Sequence, residues 1–180
     1  MSRVIAIIGG PGTGKTAVID ELQRRGHTVV HEAARQVIDE GLSKGMTIDE
    51  IRGDNLQFQM AIIEKKIQNE VQWFDSLDSS KIVFVDRGMH DAWAYFKADR
   101  IDMTTEIDSI LRKYIYDKVL LLDMLDDYYQ TDYARIEDKA EAEELHRLTE
   151  QAYKKYGMNV KKIPVMSVED RVDHIIKHTF

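Results

Sequence analysis

Short apolar runs recur along the chain, at residues 4–8, 28–30, 82–85, 119–122 and 160–165, and longer polar stretches with helical periodicity lie between them. Strands this short and apolar are buried on both faces, so the alternation predicts a parallel sheet with helices packed on either side. The first helix is expected over 15–25. Arg24 and Arg25 suit the negative end of its dipole, and Gly26 supplies the left-handed stop. A long helix is predicted over 54–74, where Leu56, Met60, Ile63, Ile67, Val71 and Phe74 make one stripe that reads as core packing. A charged helix over 139–156 presents Leu145, Leu148 and Ala152 on one side and stops at Gly157. The last helix, 168–178, follows Pro164 and the candidate cap Ser167. With two prolines, no internal repeat and no low-complexity tract, residues 1–180 read as one α/β domain.

The first apolar run leads directly into Gly9-Gly10-Pro11-Gly12-Thr13-Gly14-Lys15-Thr16, which matches G-x-x-x-x-G-K-[ST]. Glycines let backbone N–H groups close on phosphate oxygens, and the helix that follows turns its positive end toward them. The stretch from Gly9 through Ala17 is therefore the expected ATP site. Lys15 is expected to reach the β- and γ-phosphates and Thr16 to ligate Mg²⁺.

Composition narrows what such a site serves. The 25 basic and 32 acidic residues leave a net charge of −7, which disfavours a protein that grips nucleic acid and favours a small-molecule partner. A polynucleotide 5′-hydroxyl kinase would need a local basic patch such as Arg24, Arg25, Lys154, Lys155, Lys161 and Lys162. There are no cysteines, no apolar run long enough for a membrane span, and an opening run too short for a signal peptide, so a cytoplasmic protein is expected.

In an open parallel sheet, ligands meet the residues just beyond the strand ends. The third run is followed by Asp86-Arg87. The carboxylate can hold Mg²⁺ and the guanidinium can neutralise a phosphoryl group in transfer, although Asp86 also fits a turn or cap. Hydrolytic motors place a glutamate next to this aspartate to orient water; Arg87 there suits transfer to a bound acceptor. The second run is followed by Glu32-Ala33-Ala34-Arg35. Glu32 can take a proton from an acceptor hydroxyl and Arg35 can bind the substrate, while the same spacing equally fits a salt bridge at a helix start. His31-Glu32-x-x-Arg35 grazes a zinc motif but lacks its second histidine. Residues 126–138 read as a lid that brings Arg135 over ATP, or as a solvating acidic loop. Gln57, with Phe58 and Gln59, is expected to border the acceptor pocket, and Asp91 either to bind sugar hydroxyls or to cap. His174 and His178 are four apart on the last helix but read as solvent-facing.

Taken in order, Gly9 to Thr16, Glu32-Ala33-Ala34-Arg35, Asp86-Arg87-Gly88 and Asp132-Tyr133-Ala134-Arg135 resemble the small AAA-like ATPase/kinase family related to nicotinamide riboside kinases. Deoxynucleoside kinases share the plan, with a glutamate base matching Glu32 and an acidic-Arg pair matching Asp86-Arg87. The resemblance implies a three-layer α/β/α P-loop fold with a five-stranded parallel sheet, ATP·Mg²⁺ at the loop, and a small acceptor between Glu32, Arg35 and the long helix. The lid has one arginine where many nucleotide kinases have several.

These readings converge on an ATP-dependent kinase for a nucleoside-like acceptor. Lys15, Arg87 and Arg135 would neutralise charge, Thr16 and Asp86 would hold Mg²⁺, and Glu32 would be the base. A stand-alone ATPase or nucleotide-dependent switch acting through a protein partner is the alternative. Neither N-K-x-D nor a D-x-x-G after the third strand is present to suggest a signalling GTPase.

Overall fold

The computed structural model describes residues 3–76, 82–125 and 138–179. Strands β1 (Arg3–Ile8), β2 (Thr28–Val30), β3 (Ile82–Asp86), β4 (Lys118–Leu122) and β5 (Val160–Ile163) form one sheet in the order β2-β3-β1-β4-β5, with every neighbouring pair parallel. Around it lie α1 (Lys15–Arg24), α2 (Ala33–Ser43), α3 (Ile48–Arg52), α4 (Asn55–Ser76), α5 (Asp91–Ala98), α6 (Thr105–Leu111), α7 (Lys139–Lys155) and α8 (Val168–Thr179).

The central strand shows why the runs are continuous rather than alternating. Ile5 and Ile7 point to one face, with Phe84, Leu120 and Leu122, and meet Val18, Ile19 and Leu22 of α1 and Val172 and Ile175 of α8. Ala6 and Ile8 point to the other face, with Val119 and Leu121, and meet Ala152 and Tyr153 of α7. With helices on both sides, each strand position loses water, and each large aliphatic side chain contributes about 2 kcal/mol of burial. Register then places the chemistry: Ile7 lies opposite Asp86, so the chain leaves β1 and β3 side by side at the carboxyl edge.

Most predicted bounds agree with the structure to within a residue or two, and the differences have local causes. β5 stops at Ile163, because Pro164 has no N–H to donate to a ladder. Leu56 is exposed at the start of α4. That helix instead buries Phe58 and Ile62 toward α2, and Ile63 among α5 and α6 residues. The short helices α3 and α6 were not legible as periodic patterns. Each starts at a threonine whose hydroxyl accepts a backbone N–H, Thr47 from Glu50 and Thr104 from Ile107. Among the described residues, no helix is long and apolar enough to cross a membrane.

Candidate active site

The glycine loop leaves β1 and enters α1 at Gly14, whose φ of 75° lies in the left-handed region that a side chain resists. Gly10 is required for a different reason: a Cβ there would lie 2.6 Å from the Ala142 carbonyl and 2.8 Å from the His146 Cβ, so α7 packs directly on the loop. Lys15 is buried and folds back on its own loop, donating to the Gly10 carbonyl at 2.7 Å and the Thr13 hydroxyl at 3.1 Å. Burial, reinforced by the nearby Arg87 charge, pushes its pKa down to about 7. Thr16 and Ala17 are exposed on the first turn of α1.

Two residues outside the motif brace this loop. Arg171 of α8 is almost fully buried and donates to three carbonyls, of Thr13 at 2.6 Å, Asp123 at 3.0 Å and Pro164 at 3.1 Å. One guanidinium thus ties the phosphate loop to the exits of β4 and β5. His146 of α7 accepts the Gly10 N–H at 3.3 Å.

Opposite the loop, β2 and β3 deliver an ionic cluster. The Arg87 guanidinium lies 2.6 Å from Glu32 and 3.5 Å from Asp91, over the Tyr95 ring, and Arg35 reaches Glu32 at 3.5 Å. Burial alone would raise the Glu32 pKa, but Arg87, Lys15 and Arg35 outweigh it and hold the carboxyl below its ordinary value. Asp86 is pushed the other way, to about 7, first by burial and then by the negative charge of Glu32. Its Oδ1 is buried without a hydrogen-bond partner.

That orphaned oxygen fits a cation. Mg²⁺ keeps most of its ligands as water and phosphate oxygen, so one carboxylate and one hydroxyl suffice from the protein, and Asp86 and Thr16 are the residues that would hold it. Among the described residues there is no group of three or more His, Cys, Asp or Glu side chains arranged for a metal. His174 and His178 stack on each other, ring centroids 4.2 Å apart.

A cavity of about 640 Å³ opens between the loop and this cluster, bounded by Pro11, Glu32, Arg35, Arg87 and Asp91 at its polar end. Ile38, Phe58, Ile62 and Tyr95 form an apolar slot beyond, with Arg52 and Asp99 farther along and Glu141 and Glu144 of α7 alongside. Gln59 also lines it and is 4% exposed.

A family model described as AAA domain (AAA_28) matches residues 4–171. The chain belongs to the AAA_28 domain family. Across solved structures, this AAA domain is similar to thymidylate kinase from Ehrlichia chaffeensis, at TM-score 0.71 and 18% identity over 99% of both chains. It is similar to the NadR protein in complex with NR, at TM-score 0.70 and 16% identity, covering 98% of this chain and 49% of that one. Deoxyadenosine kinase from M. mycoides, with products dCMP and dCDP bound, gives TM-score 0.67 and 16% identity over 98% of both chains. No curated protein matches the sequence. These likenesses establish the fold of P-loop nucleoside and nucleotide kinases, as the resemblance implied.

Within this AAA domain the structure gathers Lys15, Glu32, Arg35, Asp86, Arg87 and Asp91, drawn from three strand ends, about one ionic cluster. Gln57 is not among them: it is exposed and bonds to Asp54 at the start of α4, and two residues on Gln59 faces the cavity instead. There the Asp54 carboxylate accepts both the Gln57 backbone N–H at 3.0 Å and its side-chain amide at 3.3 Å. The expected lid, including Arg135, lies outside the described residues. Four residues that hold the site together were not singled out from sequence: Lys66, whose ammonium donates to the Gly88 carbonyl, His146, Tyr153 and Arg171. None sits in a motif, and only a buried charge at a helical core position, as at Arg171, was available as a signal.

Proposed function

We propose that this AAA domain is an ATP-dependent kinase that phosphorylates a hydroxyl of a nucleoside-like acceptor. The observation that carries the reading is the continuity of one cavity from Pro11 of the phosphate loop, past Glu32 and Arg87, to an apolar slot lined by the buried Gln59. A flat ring fits the slot, and an amide offers a donor and an acceptor to its edge.

In this reading the acceptor hydroxyl lies against Glu32, which its cationic neighbours keep ionised near neutrality. The acceptor oxygen attacks the γ-phosphorus, its proton passes to Glu32, and the bond to the β,γ-bridging oxygen breaks to leave ADP. Arg87 and Lys15 neutralise the oxygens of the group in transfer. Mg²⁺, held by Asp86 and Thr16, supplies further charge neutralisation when bound. The carboxylates Glu32, Asp91, Asp99, Glu141 and Glu144 line the cavity against the cations Arg35, Arg52, Lys66 and Arg87, and Glu32 already engages two of those cations. That balance favours an acceptor without a phosphate of its own.

The test is ADP formation with ATP·Mg²⁺ against a panel of nucleosides and other ribosides. An acceptor should raise turnover well above the buffer rate, and Glu32→Gln should lower kcat by about 10²-fold or more with ATP-analogue affinity preserved. If no acceptor stimulates turnover, the kinase reading fails and the stand-alone ATPase or switch takes its place.

A further inference from the structure

The turn after β3 is held in a conformation that its own sequence resists. Arg87 adopts φ 62°, a left-handed backbone costing a non-glycine residue about 1 kcal/mol. Its N–H donates to the Ile7 carbonyl at 3.1 Å, and the next two N–H groups go to phenol oxygens: Gly88 to Tyr153 at 2.8 Å and Met89 to Tyr116 at 2.6 Å. The fit is direct, since a Cβ on Gly88 would lie 2.5 Å from the Tyr153 hydroxyl. The Tyr153 hydroxyl also donates to Asp91 Oδ2 at 2.6 Å, and Asp91 Oδ1 faces Arg87 Nη1 at 3.5 Å. Asp91 is 2% exposed, so both of its oxygens are engaged inside the protein.

We infer that Tyr153 is a positioning residue, which locks the Asp91 carboxylate against Arg87 and thereby aims the Arg87 guanidinium at Glu32. The inference rests on the kinase reading for its kinetic consequence. Without the Tyr153 hydroxyl, the Gly88 N–H loses its acceptor and one Asp91 oxygen loses its donor, with the Lys66 ammonium nearby on the Gly88 carbonyl to attract it. Arg87 then keeps its charge but loses the second wall of the slot that orients it, and misorientation of a group acting in the transition state lowers kcat more than it changes binding. Asp91 acts in this scheme through Arg87 rather than on acceptor hydroxyls.

The experiment compares Tyr153→Phe with Tyr116→Phe, which deletes the sister phenol oxygen without touching Asp91. Both should lower the unfolding midpoint. Only Tyr153→Phe should lower kcat, by about tenfold or more, with the Kd of a fluorescent ATP analogue and the acceptor KM held within about twofold. Asp91→Asn, which keeps a Tyr153 contact but weakens the pairing with Arg87, should follow Tyr153→Phe. Equal kcat losses from the two tyrosines, or an unchanged kcat in Tyr153→Phe, overturn the proposal. A second arm needs no acceptor: the midpoint shifts of Tyr153→Phe and Glu32→Gln should be non-additive, since the two residues are joined through Asp91 and Arg87. Additive shifts overturn the relay. Non-additive shifts in a protein that no acceptor stimulates would keep the relay and sink the kinase reading.

Discussion

Arg87→Met tests the ionic cluster most directly, because it removes one charge and keeps a long apolar side chain. The Arg87 side chain is 8% exposed and faces Glu32, 14% exposed, and Asp91, 3% exposed. Removing one partner of such a buried pair costs about 3–5 kcal/mol, since the remaining charge stays desolvated. Glu32 retains Arg35 at 3.5 Å and Asp91 retains Tyr153 at 2.6 Å, which puts the expectation near the lower end, about 3 kcal/mol. For a domain of this size that corresponds to a fall of roughly 6–12 °C in Tm. Urea unfolding at pH 7 reads the free energy. Adding Glu32→Gln to the same chain removes the stranded charge, so the double variant should be more stable than Arg87→Met alone. Lowering the pH should also help. Without Arg87 the folded-state pKa of Glu32 rises, the native state gains a proton that the unfolded chain does not yet bind, and the penalty shrinks between pH 7 and 5. A loss below about 1 kcal/mol, a penalty equal at both pH values, or a double variant worse than the single would refute the reasoning.

Arg171→Met leaves the carbonyls of Thr13, Asp123 and Pro164 without their donor; we expect about 3 kcal/mol less stability and at least tenfold weaker binding of an ATP analogue, checked by urea titration and fluorescence, and unchanged nucleotide affinity would count against the bracing role. His90 is fully buried beside three tyrosine rings, and burial lowers its pKa to about 4 from an ordinary 6.5. The unfolded chain takes a proton there first, so stability should be fullest above pH 6.5 and decline by about 3 kcal/mol toward pH 4, a slope that His90→Gln should flatten in acid titrations. Lys15, with its pKa near 7 in the free protein, should recover its ordinary basicity against phosphate. ATP binding without Mg²⁺ should therefore take up a proton at pH 8 and weaken as pH rises, seen by calorimetry in buffers of different ionisation enthalpy; a buffer-independent heat would refute it.

What the sequence determined by itself is local chemistry and layer order. Residues 9–16 carry their meaning in spacing alone, because a phosphate cradle needs glycine torsions between a strand and a helix. The continuous runs at 4–8 and 119–122 show burial on both faces, which requires a parallel sheet with helices above and below. Glu32, Asp86 and Arg87 follow directly on apolar runs, and residues beyond the strand ends of a parallel sheet face its ligand edge. Tertiary structure decided what depends on side chains distant in sequence meeting at a given angle. The choice of Gln59 over Gln57 turned on which way α4 faces once Phe58 and Ile62 pack on α2. Tyr153 looks like an ordinary core aromatic in the sequence, and its hydroxyl acquires a partner only when α7 crosses the turn at Gly88. Arg171 is one cation among many until three strand exits converge on it. A hydrogen bond needs two groups placed to within a few tenths of an ångström, and residue order constrains that placement only after the whole core has packed.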